Sequence, residues 1–215
     1  MFRADEVRVR RARVDDLPAM QAMQVRALRT LGATRLDPSE IEAALTVLLA
    51  MQIARIAAGT CWLAEAANGR VVAGAAYVPQ AEDPVIDLLV APPVPLPACH
   101  GLAARVCGIC VEPDRRRRGL GHLMVRVAQA QMVRAGFGIA EVLTTPSTEP
   151  LWLSAGFAGI GDHVLTLPSG PPLSVRRMVR LLERHGWAAR VTQETCEITF
   201  SGRATQPRNI PRLLP

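Results

Sequence analysis

One segment constrains this chain more than any other. Arg105 to Val111 is an apolar run fit for a strand. It breaks at Glu112-Pro113-Asp114, crosses four consecutive arginines (Arg115 to Arg118) and enters a helix that starts at about Gly119–Gly121. That helix carries Leu123, Met124, Val127, Ala128, Gln131 and Met132 and closes at Gly136. A strand, a tight Arg/Gly loop and a helix N-terminus, in that order, make a cradle for an anion. The first helical N–H groups have no internal acceptor, and the helix dipole favours negative charge beside them. Gly119 and Gly121 remove side chains where a phosphate must approach the backbone. The adjacent arginines raise the local potential and can fork onto phosphate oxygens. A solvated basic turn ahead of a glycine-started helix is the plainer alternative, and a bare Arg-x-x-Gly-x-Gly does not decide between the two.

Several chemistries are excluded. A dinucleotide fingerprint needs a third glycine where this chain has Met124. A P-loop needs a lysine, and all 25 basic residues are Arg. The same absence excludes a Schiff base or a lysine general base. Cys107-Gly108-Ile109-Cys110 has CxxC spacing, but on a strand its two thiols should face opposite sides or be offset, and no second ligand pair exists, so no metal site is expected. Small buried thiols suit them better. The arginine run lacks the aromatic interleaving of a nucleic-acid surface, so no nucleic-acid partner is expected. No stretch reaches about 18 apolar residues without a charge, which argues against a membrane span. The first residues, MFRADEVRVRRARVDD, contain no apolar core of a signal peptide. The five cysteines (Cys61, Cys99, Cys107, Cys110, Cys196) are therefore expected to be reduced thiols in a cytoplasmic protein.

The rest of the chain supplies a scaffold. Glu6 to Val14 alternates as a first strand, and Asp15 and Asp16 offer N-caps for a helix over about 17–30. Asp37-Pro38-Ser39-Glu40 starts a second helix that runs to about Gly59. Cys61 to Ala66, the turn Asn68-Gly69 and Arg70 to Val78 read as a hairpin. The proline-rich stretch from Gln80 to His100 reads as an irregular connection. Ile139 to Thr144 is a strand and Leu151 to Ala155 a short helix ended by Gly156. Phe157 to Leu167 and Pro172 to Arg180 form a closing strand pair. The order β-α-α-β-β-β-α-β-α-β-β predicts an α/β sheet with helices on its faces. Val191 to Phe200 could add a strand, and Ser201 to Pro215 reads as a mobile tail.

The central segment resembles motif A of the GNAT superfamily of acyl-coenzyme A-dependent N-acyltransferases. That motif is an apolar strand, Val-x-Pro, then Arg or Gln-x-x-Gly-x-Gly or Ala at a helix start. Here those elements are Ile109 to Val111, Pro113, Arg116, Gly119 and Gly121. The opening Arg11, Ala12, Arg13, Asp16, Leu17 and Pro18 is similar to the family's first strand and helix. The stretch from Glu65 to Gly74, with Gly69, is similar to its Glu-x-x-Gly-x-x-x-Gly hairpin. Pro150-Leu151-Trp152 to Gly156-Phe157 is similar to its closing motif. The resemblance spans about residues 8–180. It implies a mixed, mostly antiparallel central sheet, splayed at the cofactor strand, with helices on both faces. Residues 1–180 would form the acetyltransferase domain, and 181–215 a C-terminal extension that could supply a homodimer contact.

The resemblance also implies chemistry. Acetyl-coenzyme A would rest its pyrophosphate on the amides of Arg116, Arg117, Arg118, Gly119, Leu120 and Gly121, with His122 beside them. Its pantetheine arm would follow the backbone of Ile109, Cys110 and Val111. A strand amide there would polarise the thioester carbonyl, and a primary amine of a small molecule or peptide would attack directly, with a base taking its proton. Many members carry a tyrosine acid where this chain has Trp152, whose indole N–H donates a hydrogen bond but delivers no proton to a thiolate. Glu65, Glu141, Asp162 and His163 are candidates for the base, and for each a solvated or salt-bridged role is the simpler expectation. The net charge of +6 argues mildly against polyamine acceptors. A non-catalytic acyl-coenzyme A binding or sensing domain remains the alternative, with an arginine-rich protein for an acidic partner as a third.

Overall fold

The computed structural model describes residues 7–32, 38–50, 52–80, 102–166 and 171–182. Among these residues seven strands make one sheet: β1 (Val7–Arg11), β2 (Cys61–Ala66), β3 (Val71–Pro79), β4 (Ala103–Val111), β5 (Ile139–Thr144), β6 (Ala158–Leu165) and β7 (Leu173–Leu181). They lie in the order β1-β2-β3-β4-β5-β7-β6. Every neighbouring pair is antiparallel except β4 with β5. The helices are α1 (Leu17–Gly32), α2 (Pro38–Ala50), α3 (Gln52–Ala57), α4 (Leu120–Arg134) and α5 (Glu149–Ser154). The expected α/β architecture is the one observed. The expectations for the proline-rich connection beyond Gln80 and for Val191 to Pro215 lie outside the described residues.

Alternation along the strands feeds two cores. Val9, Trp62, Ala64, Ala73, Ala75, Tyr77, Ala104, Val106, Ala140, Val142 and Met178 meet Met124, Val125, Val127, Ala128 and Met132 of α4 and Trp152 of α5. On the opposite face Cys61, Leu63, Val71 and Ala76 meet Met20 and Met23 of α1 and Ile56 of α3. The sheet is thus covered on both sides, as its apolar strands require. A stacked Trp62–Tyr77 pair, with ring centroids 5.6 Å apart, joins β2 to β3 in the α4-side core.

Of the expected second helix the described parts are α2, which packs on α1, and α3, which packs on β2 and β3. Two local expectations are corrected. Asp16 does not cap the helix that follows it. Val14–Asp16 forms a 3₁₀ turn, and Asp16 accepts the N–H of Arg13 at 2.7 Å while Arg10 holds its carboxylate at 2.7 Å through both terminal nitrogens. Cys107 and Cys110 share a face, both packed against the α1-side core. Spacing by three should have separated them, but Gly108 adopts φ 62° and the β3–β4 register slips between Gly74 and Ala76. One residue is bulged out of the ladder there, and a glycine is what such a left-handed position favours.

Candidate functional site

The β4–β5 pairing is short. Only Ala103↔Ile139, Ala104↔Ala140 and Arg105↔Glu141 are in register. Past that rung β4 continues to Val111 and β5 to Thr144 with no ladder between them, so the sheet forks. The bulge at Gly108 lies on the forked part of β4. Ile109 and Val111 pack toward the α4-side core and Cys110 toward the α1 side. Burial pushes the Cys110 thiol up to about 12, so it is a neutral packing group at physiological pH.

At the mouth of the fork β4 gives way to a 3₁₀ turn, Pro113–Arg115, and then to α4. Gly119 is the N-cap with φ 79°, and a Cβ placed there would meet no atom within 4 Å. The first hydrogen bond of the helix runs from Leu123 N–H to Gly119 C=O at 2.9 Å. The N–H groups of Leu120, Gly121 and His122 precede it and lack intrahelical acceptors. Arg117 also holds a left-handed conformation, φ 62°. Such turns aim successive amides into one concavity.

The loop is held on both sides. Glu112 is buried and takes a bidentate pair from Arg26 of α1, at 2.8 and 3.0 Å. Asp114 takes Arg70, from the β2–β3 turn, at 2.7 Å, and the guanidinium holds its carboxyl below the usual range. Arg116 turns its guanidinium back to α1, donating to Ala27 C=O at 3.0 Å. Arg117 and Arg118 are exposed. His122 lies on the surface with Nε2 at 2.7 Å from Ser154 Oγ, which in turn lies 2.8 Å from Leu151 C=O. A Cβ at Gly121 would lie 3.5 Å from Leu151 of α5 and 4.0 Å from Val111, at ordinary contact distances.

Of the base candidates only Glu141 borders the fork. It is completely buried, with Arg105 on Oε1 and Arg177 on Oε2. Glu65 sits toward the β1 edge of the sheet, ion-paired with Arg10. Asp162 and His163 belong to β6, the other edge strand, with Asp162 3.7 Å from Arg176. The fold does not bring these residues together. Trp152 is buried and edge-on to Phe157, centroids 5.1 Å apart. Two features escaped the sequence. One is the hydroxyl cluster at the β5 lip, where Thr144 and Thr148 are 2.6 Å apart and Thr145 and Ser147 2.8 Å; the run Thr-Thr-Pro-Ser-Thr was its available signal. The other is the Arg26–Glu112 brace, which joins residues 86 positions apart and has no local signal. Among the described residues no group of three or more His, Cys, Asp or Glu could hold a metal ion, and no helix is long and apolar enough to cross a membrane.

A GCN5-related N-acetyltransferase from Rhodopseudomonas palustris superposes with TM-score 0.60 at 17% identity, over 81% of this chain and 94% of that one. The PaiA N-acetyltransferase of Thermoplasma acidophilum, solved with coenzyme A, gives 0.59 at 11% identity, over 82% and 99%. The putative acetyltransferase YncA of Salmonella typhimurium, solved with acetyl-CoA, gives 0.54 at 16% identity, over 85% and 97%. No curated protein matches. The model of the Acetyltransferase (GNAT) family matches residues 25–157, and the chain belongs to that family.

Proposed function

We propose that this protein binds acetyl-coenzyme A in the β4–β5 fork and transfers the acetyl group to a primary amine of a small molecule or peptide. The observation that carries this is the fork itself, opening beside the N–H groups that precede the first hydrogen bond of α4. The site fits the cofactor. An anionic pyrophosphate suits a helix N-terminus, and Gly119 leaves the approach to it clear. The amides of Arg116 to His122 would bind the pyrophosphate. The backbone of Ile109, Cys110 and Val111 would hold the extended arm and offer an N–H to the thioester carbonyl, where charge develops. Bound acetyl-coenzyme A supplies an activated acetyl thioester; the chain's part is to orient it and to remove a proton from the amine.

Glu141, with both oxygens on guanidinium groups, serves as an ion-pair partner and not as the base. Trp152 helps to wall the core and delivers no proton. These two features favour a second function, a non-catalytic acyl-coenzyme A binding domain.

A thermal shift with acetyl-coenzyme A, coenzyme A and pyrophosphate at fixed ionic strength tests the cofactor. A ligand of the folded state alone raises the melting temperature by mass action. Both coenzymes should raise it clearly and pyrophosphate little; no shift with either coenzyme overturns the proposal. Thiol release over a panel of amines then separates the enzyme from the binding domain. Release with one class of amine supports transfer, and tight binding without release on any amine supports the second function.

A further inference from the structure

The last rung of the β4–β5 ladder, Arg105↔Glu141, is also the site of a buried ionic network. Arg105 donates to Glu141 Oε1 through Nε at 3.0 Å and through Nη2. Arg177, on β7, donates to Oε2 through Nε at 2.9 Å and Nη2 at 2.7 Å. Gln80, just past β3, reaches the same oxygen at 3.2 Å. The exposures of Arg105, Glu141 and Arg177 are 3%, 0% and 2%. Buried ion pairs are a weak device for stability, because apolar residues of similar volume often do as well or better. Their place at the point where the sheet opens therefore calls for another account.

The two arginines sit in unlike surroundings. β5 and β7 pair continuously from Ile139↔Leu181 to Thr144↔Arg176, so Arg177 adds a side-chain tie to strands already laced by backbone bonds. β4 and β5 have three rungs and then nothing. There the Arg105–Glu141 tie is a large part of what holds the strands at a set depth and angle. We propose that Arg105–Glu141 is a positioning clamp that fixes where the fork begins and how far it opens, with Arg177 holding Glu141 in place without setting the fork. Loss of the clamp would let the rung fray or would let β4 and β5 zip further, and either would change the groove in which the arm of the coenzyme is to lie. This inference rests on coenzyme binding in the fork.

The test compares Arg105→Met with Arg177→Met, each leaving Glu141 one arginine. Coenzyme A affinity is measured by calorimetry, and hydrogen exchange is followed in the unliganded proteins. Both variants should lose thermal stability to a similar extent. Arg105→Met should weaken coenzyme A binding by about tenfold, within the range of residues that act on a site without touching its ligand. It should also speed exchange across Val106–Val111 and Val142–Thr144. Arg177→Met should keep affinity within about threefold of the wild type, with faster exchange confined to β7. Equal affinity losses in the two variants, or unchanged exchange along β4 in Arg105→Met, overturn the clamp while wild-type binding still supports the function. If the wild type does not bind coenzyme A, the functional proposal fails alone, and the exchange comparison still decides the clamp. Should Arg105→Met not fold, Arg105→Lys, which offers a point charge in place of a fork of donors, should show the same changes in smaller measure.

Discussion

The two ends of the fork are built by opposite means. Its mouth is backbone: the amides of Leu120, Gly121 and His122, contiguous in sequence and open because Gly119 has no side chain. Its root is side chain: Arg105, Glu141 and Arg177, drawn from three strands, each arginine 36 positions from the glutamate and all sealed from water. A backbone site tolerates many side chains around it but no carboxylate within it. A side-chain site fails whenever one partner is lost. The mouth should therefore act on affinity directly, and the root should carry stability and reach affinity only through the shape of the fork.

Three measurements sharpen that contrast or break it. The largest effect belongs to the mouth. Gly119→Glu places a carboxylate among the amides, and like charges brought together cost several kcal/mol, so acetyl-coenzyme A affinity should fall roughly a hundredfold or more in calorimetry. The left-handed φ at that position adds strain of about 1–3 kcal/mol, which leaves a folded protein by circular dichroism. Retained affinity in the folded variant would dissolve the distinction between the two ends.

Next is the root. Glu141→Leu leaves two buried guanidinium groups facing an apolar side chain, and breaking such a network by removing one member costs about 3–5 kcal/mol. The loss should appear in denaturant midpoints with the slope unchanged. A loss below about 1 kcal/mol would mean that water reaches the network.

The smallest effect concerns the outer brace of the mouth. Arg70 lowers the carboxyl pKa of Asp114 from 3.8. A carboxyl with a depressed folded pKa contributes stability above its unfolded value and loses it as pH falls through the folded value. The difference in melting temperature between the wild type and Arg70→Ala should hold level above about pH 4 and close below it. A difference that persists into stronger acid would show that Arg70 acts through packing and not through this pair.

What was legible in the sequence followed from locality. The pattern of Ile139 to Thr144 marks both ends of β5, and the glycines at 119 and 136 bracket α4, because period and caps are properties of neighbours. The bulge at Gly108 was within reach, since a glycine inside an apolar strand run is itself a bulge signal. The face shared by Cys107 and Cys110 follows from it. That a Cβ at Gly121 would face Leu151 of α5 is a tertiary fact with no local signal. The ionic root was out of reach. Arg105 and Glu141 each sit in a strand whose apolar neighbours give no reason to expect a buried charge, and only the register of three strands brings them together.

The fork has a further consequence for how this protein behaves in a concentrated solution. Edge strands are usually blunted by charge or proline, or sit at the rim of a sheet. Here the run Val-Cys-Gly-Ile-Cys-Val, residues 106–111, is a half-open edge inside the sheet, with neither charge nor proline. A short apolar segment with unpaired backbone is a template for foreign strands. A coenzyme lying along it would occupy that template, so the ligand-free protein should be the form that self-associates, and coenzyme in the buffer should act as a solubilising agent as well as a reagent.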